Sequence, residues 1–333
     1  MKVLLASLFA SDTTGYLRNW GPFTHDTMKK ANIEPIRPPL GTDWLYDWSY
    51  YWQFDLIYLI RPSTAREYML IGRAKQLGVP VWVDFDDDLL SIPDTNPYYH
   101  QYTTSDAIKI MSEACLEADI LTTHSERHAQ NLRLKFQREV TVIPNAIDDR
   151  LLALKKPWKR SKKIAWRGSS THAHDLLSVQ SGISQMHAKY NTHDWHYFGC
   201  DPLFINKSTC PYTVSPTMNL MDYHIALAQR NSSYHWCALA DSEFNRVKSA
   251  ISWFEATLAG SVFLGPNLDE FRKPGIMQYE CGMGKDFSRM FTDMLQLSDF
   301  ECDAHVKTSW EYIKDNFLTS KTNEKRLEIL RNV

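Results

Sequence analysis

The feature that most constrains this chain is an alternation, met in two separate stretches, of short apolar runs with longer amphipathic ones. Apolar runs that stop at Gly, Pro or Asp read as buried strands. The amphipathic stretches between them read as crossover helices, and the two together demand parallel sheets covered on both faces. The first stretch carries six strand candidates, at 2–9, 34–38, 54–60, 80–84, 120–124 and 140–144, with helical patterns near 20–31, 64–77, 104–118 and 126–137.

A basic run interrupted by proline, Ala153-Leu154-Lys155-Lys156-Pro157-Trp158-Lys159-Arg160-Ser161-Lys162-Lys163, breaks the composition. The pattern then restarts. Strand 163–166 leads through a Gly-rich turn to helix 175–190, strands near 194–198 and 212–214, and helix 219–229. An apolar segment at 236–240, a helix near 246–258 and a strand at 261–264 follow, and helical patterns at 303–316 and 323–331 close the chain. A chain of 333 residues suits two α/β cores better than one. The expected organisation is an α/β protein with Rossmann-like domains at 1–152 and 163–310, a linker at 153–162 and crossing helices at 311–333.

With 37 basic against 39 acidic residues, no whole-molecule field draws in nucleic acid, so any polyanion site must be local. The run from Ala153 to Lys163 reads either as a solvated linker or as a basic contact surface. Six scattered cysteines without a C-x-x-C pair suit reduced thiols in a cytoplasmic protein and argue against zinc. The opening Met1 to Phe9 lacks the basic flank and cleavage site of a signal peptide and reads as the first buried strand. No apolar run approaches the ~20 residues that span a bilayer, so no membrane insertion is expected. The 11 Trp suit a sugar-handling cleft and ordinary core packing alike.

In open parallel sheets ligands bind beyond the carboxyl ends of the strands, where turns enter helix N-termini. The turn Ser11-Asp12-Thr13-Thr14-Gly15-Tyr16 offers hydroxyls and a glycine; it reads as a phosphate or sugar contact through Thr14 and Gly15, or as a structural loop. It is not a G-x-G-x-x-G, which counts against an NAD-linked enzyme. The turn Trp166-Arg167-Gly168-Ser169-Ser170-Thr171-His172 supplies a fixed cation, a glycine and three hydroxyls, a setting that suits a diphosphate or a capped helix. On a helix starting near Asn245, Lys248, Ser252 and Glu255 fall on neighbouring faces, as a ligand site or as a surface ion pair. The cluster Asp84, Asp86, Asp87, Asp88 at a strand end reads as an acceptor or sugar contact, as helix capping, or as a metal site.

The stretch Phe244-Asn245-Arg246-Val247-Lys248-Ser249, with Glu255 seven residues past the lysine, then Ala256 to Gly260 and an apolar strand, resembles the donor-binding signature of the large retaining GT-B glycosyltransferase superfamily. Ala118-Asp119-Ile120 through Ser125 and Val140-Thr141-Val142-Ile143-Pro144-Asn145-Ala146-Ile147-Asp148 are similar to elements that close that family's first domain, with Ala146 where glycine is usual. Trp166-Arg167-Gly168-Ser169 resembles its W-x-G-S turn, and the D-x-D-D-D-L-x-x-x-P element from Asp84 is similar to one in compact phage and bacterial relatives. The resemblance implies a GT-B fold, two Rossmann-like domains facing a central cleft, with 1–152 on the acceptor side, 163–310 binding the donor and the C-terminal helices crossing back. It implies that Glu255 grips the donor ribose and that Asn245, Lys248 and Ser249 lie by the donor phosphates and sugar. One departure is plain: the family's first glutamate would fall at Val247, which leaves its role to Asp241, to Glu243 or to neither.

Sugar transfer builds positive charge on the ring and negative charge on the departing diphosphate. Arg167 and Lys248 are expected to meet the second without a metal, helped by Gly168 and Ser169, while Asp86, Asp87 and His124 are the catalytic candidates. The expected co-substrate is a nucleotide sugar, a UDP-sugar favoured, with no other cofactor and no metal. Family precedent favours retention. The acceptor is a glycan or, in a bacteriophage acting in the host cytoplasm, a hydroxylated base of DNA. The other classes left open are a non-catalytic two-lobed nucleotide- or sugar-binding protein and an NAD-linked Rossmann enzyme.

Overall fold

The computed structural model describes residues 1–6, 14–39, 41 and 43–333. By contacts it divides into two compact units, one formed by Met1–Ile92, Tyr99–Asp149 and Phe317–Val333, the other by Pro93–Tyr98 and Arg150–Asn316. The last 17 residues thus belong with the first 149 less Pro93–Tyr98, while the helix Asp299–Asn316 stays with the second unit.

Among the described residues the first unit holds six strands, β1 (Lys2–Leu5), β2 (Glu34–Ile36), β3 (Leu56–Ile60), β4 (Val81–Phe85), β5 (Ile120–Thr123) and β6 (Thr141–Val142). All pair in parallel, in the order β2-β1-β3-β4-β5-β6. Every residue of β3 and β4 is buried, as expected of central strands covered on both faces. Helices Ala65–Gln76, Ser105–Glu117 and Glu126–Phe136 make the crossovers; the first starts on a capping box between Thr64 and Glu67, which satisfies two backbone donors at once. The returning helix Thr319–Leu330 is fixed by Asn323, whose Nδ2 donates to Pro22 O at 2.9 Å and to Thr27 Oγ1 at 2.8 Å. The sequence placed a loop through Gly15. The chain is instead already helical over Gly15–Trp20, and 7–13 lie outside the described residues, with the end of the expected first strand and Ser11 to Thr13 of the turn.

The second unit holds β7 (Lys163–Arg167), β8 (Asp194–Phe198), β9 (Tyr212–Ser215), β10 (Tyr234–Trp236), β11 (Val262–Pro266) and β12 (Ile276–Tyr279), parallel in the order β12-β11-β10-β7-β8-β9. Counted from β7 this is the 3-2-1-4-5-6 order of dinucleotide-type domains read from the opposite edge. One face packs Trp166, Trp195, Tyr197 and Trp236 against Phe287 and Phe291 of the helix Gly284–Gln296. Three of the six buried tryptophans among the described residues serve this core.

Two expected helices are broken. The 246–258 helix is a short turn, Glu243–Arg246, followed after the non-helical residues 247–250 by the helix Ile251–Leu258. Ser242 caps the first piece, and the Asn245 side chain donates back to Ala240 O at 3.0 Å. Lys248 and Glu255 consequently do not share one helix. The 175–190 helix breaks at Val179 into Ala173–Ser178 and Gln180–Lys189.

Residues 155–161 are packed rather than tethered freely. Lys156 N donates to Leu258 O at 2.9 Å, Ser233 Oγ donates to Lys159 O at 2.6 Å, and the Lys155 ammonium sits 4.8 Å from the centre of the Trp310 ring. Arg160 pairs with Asp299, and Lys163 Nζ donates to Arg230 O at 3.0 Å. The backbone of the run is thus bonded to the second unit, while Lys159, Arg160 and Lys162 stay exposed.

Candidate functional site

In doubly wound sheets the ligand crevice opens where the strand order reverses. In the second unit that point lies between β7 and β10, and Arg167 ends β7 there. Its Nε donates to Glu255 Oε2 at 2.6 Å, and Tyr223 OH donates to the same oxygen at 3.1 Å. The Glu255 side chain is 5 % exposed and that of Arg167 24 %, so the pair is largely withdrawn from water with the guanidinium reaching out. Burial by itself lowers the Arg167 pKa, but the neighbouring Glu255 carboxylate outweighs it and holds the pKa above the ordinary value. Burial first, and then Glu255, keep the Tyr223 phenol protonated well above its usual range.

Two glycines shape the turn that follows. A Cβ on Gly168 would lie 2.5 Å from the Trp166 ring, and one on Gly199, whose φ is +95°, would lie 2.5 Å from Gly168 O. Only glycines let the turns after β7 and β8 close on each other, with Gly168 N donating to Phe198 O at 3.0 Å. Ser169 Oγ and Thr171 Oγ1, 2.6 Å apart, sit on the exposed lip.

Beyond the turn a pocket is lined by Thr95, Asn96, Thr171, His172, Asp175, Asn245 and Lys248, among others. Asp175 is its organiser. One carboxylate oxygen accepts from Ala240 N at 2.8 Å and Asn245 Nδ2 at 2.7 Å, and the other accepts from His172 Nδ1 at 2.8 Å. Lys248 lies with its Nζ 4.3 Å from the centre of the Phe244 ring, and Ser249 directly precedes Ala250, which caps the Ile251–Leu258 helix. Asp241 and Glu243 are both exposed and both paired with Arg246.

In the first unit the reversal lies between β1 and β3, and adjacent strand ends carry the polar residues. Arg61 follows β3 with φ +49°, a left-handed conformation unusual for a side chain of this size. It grips Asp86 through Nε and Nη2, Asp87 at 2.9 Å and Thr14 Oγ1 at 3.0 Å. One strand deeper, Arg18 holds the fully buried Asp84 through Nε at 2.8 Å and Nη2 at 2.6 Å. Among the described residues no group of three or more His, Cys, Asp or Glu is arranged to hold a metal, and Asp84, Asp86 and Asp87 are each paired with an arginine. His124 follows β5, and burial first, then His128 and Arg18, push its pKa down to about 4, so it is neutral at pH 7.

Of the residues picked from sequence, Arg167 and Glu255 meet directly, Asn245 and Lys248 share the pocket, and Gly168, Ser169 and Ser249 lie in the loops between. Thr14 and Gly15 lie in the first unit with Asp86, Asp87 and His124, Thr14 accepting from Arg61. Sequence reasoning passed over Asp175 and Tyr223. The H-x-x-D spacing in the turn was a usable signal for the first; nothing local marks the second, which comes from a helix 32 residues before Glu255.

No family model matches the sequence, and no curated protein matches it by sequence. Solved structures resemble it in fold. A glycosyltransferase from Rickettsia africae is 11 % identical over 99 % of this chain and 98 % of that one, with a TM-score of 0.66. A UDP-forming α,α-trehalose-phosphate synthase from Burkholderia xenovorans is 12 % identical over 99 % of both chains, with a TM-score of 0.67. A point mutant of S. aureus TarM, solved with fondaparinux, α-GlcNAc-glycerol and UDP, matches 82 % of this chain and 54 % of its own length at 10 % identity and a TM-score of 0.57. No described helix is long and apolar enough to cross a membrane. Two parallel six-stranded sheets and a likeness running the length of whole GT-B glycosyltransferases identify the chain as a GT-B fold.

Proposed function

We propose that this chain is a glycosyltransferase that moves a sugar from a nucleotide-diphosphate donor, a UDP-sugar favoured, to a hydroxyl acceptor, with retention and without a metal. The observation that carries the proposal is the Arg167–Glu255 pair at the strand-order reversal of the second unit. A carboxylate there suits the two hydroxyls of a ribose, which donate hydrogen bonds, and a guanidinium suits phosphate oxygens, which only accept them. Lys248, Ser249 and the start of the helix Ile251–Leu258 add further positive potential for the leaving diphosphate. Fixed cations of this kind do the work a divalent ion does in metal-dependent transferases. In the first unit Asp86, Asp87 and the neutral His124 are the groups offered to the acceptor, a glycan being preferred over a base of DNA.

Titration with UDP, GDP and NAD, followed by mass spectrometry of candidate acceptors incubated with a panel of nucleotide sugars, tests the reading. Micromolar binding of one nucleoside diphosphate and a mass gain of one glycosyl unit are expected. Tight binding of NAD alone, or of no nucleotide, would remove it.

A further inference from the structure

We infer that Asp175 is a positioning residue that presents His172 and Asn245 to the transferred sugar as a pair of hydrogen-bond acceptors; this rests on the glycosyl-transfer reading above. The carboxylate of Asp175, 8 % exposed, can only accept, so the imidazole nitrogen 2.8 Å away, Nδ1, carries the proton. In the neutral ring that leaves a lone pair on Nε2. The same logic orients Asn245. Both of its described amide contacts, to Asp175 Oδ1 at 2.7 Å and Ala240 O at 3.0 Å, are with acceptors, so Nδ2 faces them and Oδ1 is the atom left for a ligand.

The pocket that these residues line is therefore chemically distinct from the Arg167 region. Phosphate oxygens have no proton to give to His172 Nε2 or Asn245 Oδ1, whereas ring hydroxyls do. Lys248, the only lysine or arginine among the described lining residues, shares the pocket with the two acceptors. The family glutamate that would contact the sugar is replaced by Val247, and Asp241 and Glu243 are committed to Arg246. In this chain the buried acid comes instead from the H-x-x-D turn after β7. It acts through a histidine rather than by touching the ring.

The test separates tautomer, nucleotide and sugar. Long-range nitrogen–proton NMR of the full chain, with the His172 signal assigned by its loss in a variant, should show Nδ1–H in the wild type and Nε2–H in Asp175→Asn, whose amide would donate to Nδ1. Titrations of UDP and GDP are compared with those of UDP-glucose, UDP-N-acetylglucosamine and GDP-mannose. The gain in affinity given by the sugar should fall about three- to tenfold in Asp175→Asn and in His172→Asn, the yield of one neutral hydrogen bond, with nucleoside diphosphate affinity unchanged. His172→Gln, which places an amide near the Nε2 position, should keep most of the gain. His172→Asn can still donate to Asp175, so a purely structural role predicts the opposite ranking, and this comparison serves even if Asp175→Asn fails to fold. A wild-type Nε2–H tautomer, or a His172→Asn variant that keeps the sugar's contribution, overturns the inference. A wild type that binds no nucleoside diphosphate overturns the donor reading and this inference together, and is told apart by the loss of UDP and GDP binding itself.

Discussion

Replacing Glu255 by Gln keeps the side-chain shape and removes one charge from the pair at the end of β7. The carboxylate accepts from Arg167 at 2.6 Å and from Tyr223 at 3.1 Å, and it is 5 % exposed. A hydrogen bond to a charged group is worth about 1.5–3 kcal/mol and a neutral one about 0.5–1.5, so the exchange costs on the order of 1–2 kcal/mol. The figure stays below the 3–5 kcal/mol of a fully buried broken pair because Arg167, 24 % exposed, retains some water. For a domain of this size that is a fall of roughly 2–8 °C in melting temperature. Ligand binding should suffer more. Two ribose hydroxyls that donated to a carboxylate now meet one amide oxygen and one competing NH2 group, a loss of about 10- to 100-fold in UDP affinity. Differential scanning fluorimetry and isothermal titration with UDP on the same preparation read both effects. A variant that melts lower yet binds UDP as the wild type does would refute the placement of the ribose on Glu255 and leave it a structural partner of Arg167.

Asp84→Asn should cost about 3–5 kcal/mol, because it strands the fully buried Arg18 guanidinium without its counter-charge; urea denaturation followed by the fluorescence of the many tryptophans measures it, and a change under 1 kcal/mol would contradict it. Gly199→Ala should cost about 1–3 kcal/mol and weaken UDP binding, since the new methyl would sit 2.5 Å from Gly168 O at a φ of +95° and push the Arg167 turn outward; equal stability and affinity would show that the two turns yield easily. Burial first of all holds His124 down to about 4 and His235 to about 3, so the unfolded chain takes up their protons before the folded one. Stability is complete above about pH 6.5, declines as the pH falls through that value and levels off only below the folded pKa values, with a loss of about 2 kcal/mol per histidine at pH 5. Urea midpoints at pH 7.5 and pH 5 should differ accordingly, and identical midpoints would contradict the burial of both rings.

Strand-and-helix alternation survived translation into structure because central parallel strands need no context beyond their own apolar character. The runs at 54–60 and 80–84 became the fully buried β3 and β4, and the break near 153 fell within a few residues of the division after Asp149. Two strands hid from that logic. Tyr234-His235-Trp236 carries a histidine with both ring nitrogens buried and unsatisfied, and Ile276–Tyr279 is a four-residue edge strand whose burial does not alternate, although Pro274-Gly275 stand before it.

The candidate site divides along the same line. The residue types were readable: a cation and glycine in the turn at Arg167 and Gly168, and a lysine and glutamate seven apart at Lys248 and Glu255. Their partners were not. Periodicity places residues on one face of one element, so it took Lys248 and Glu255 for a single helix that is in fact broken at 247–250. The acceptors and counter-charges that decide the chemistry came from far along the chain, Glu255 reaching Arg167 across 88 residues and Asp175 reaching Asn245 across 70. Local sequence determines which groups stand at the strand ends. Which of them neutralise, orient or desolvate one another is set by the order of strands in the sheet, and a linear pattern does not encode that order.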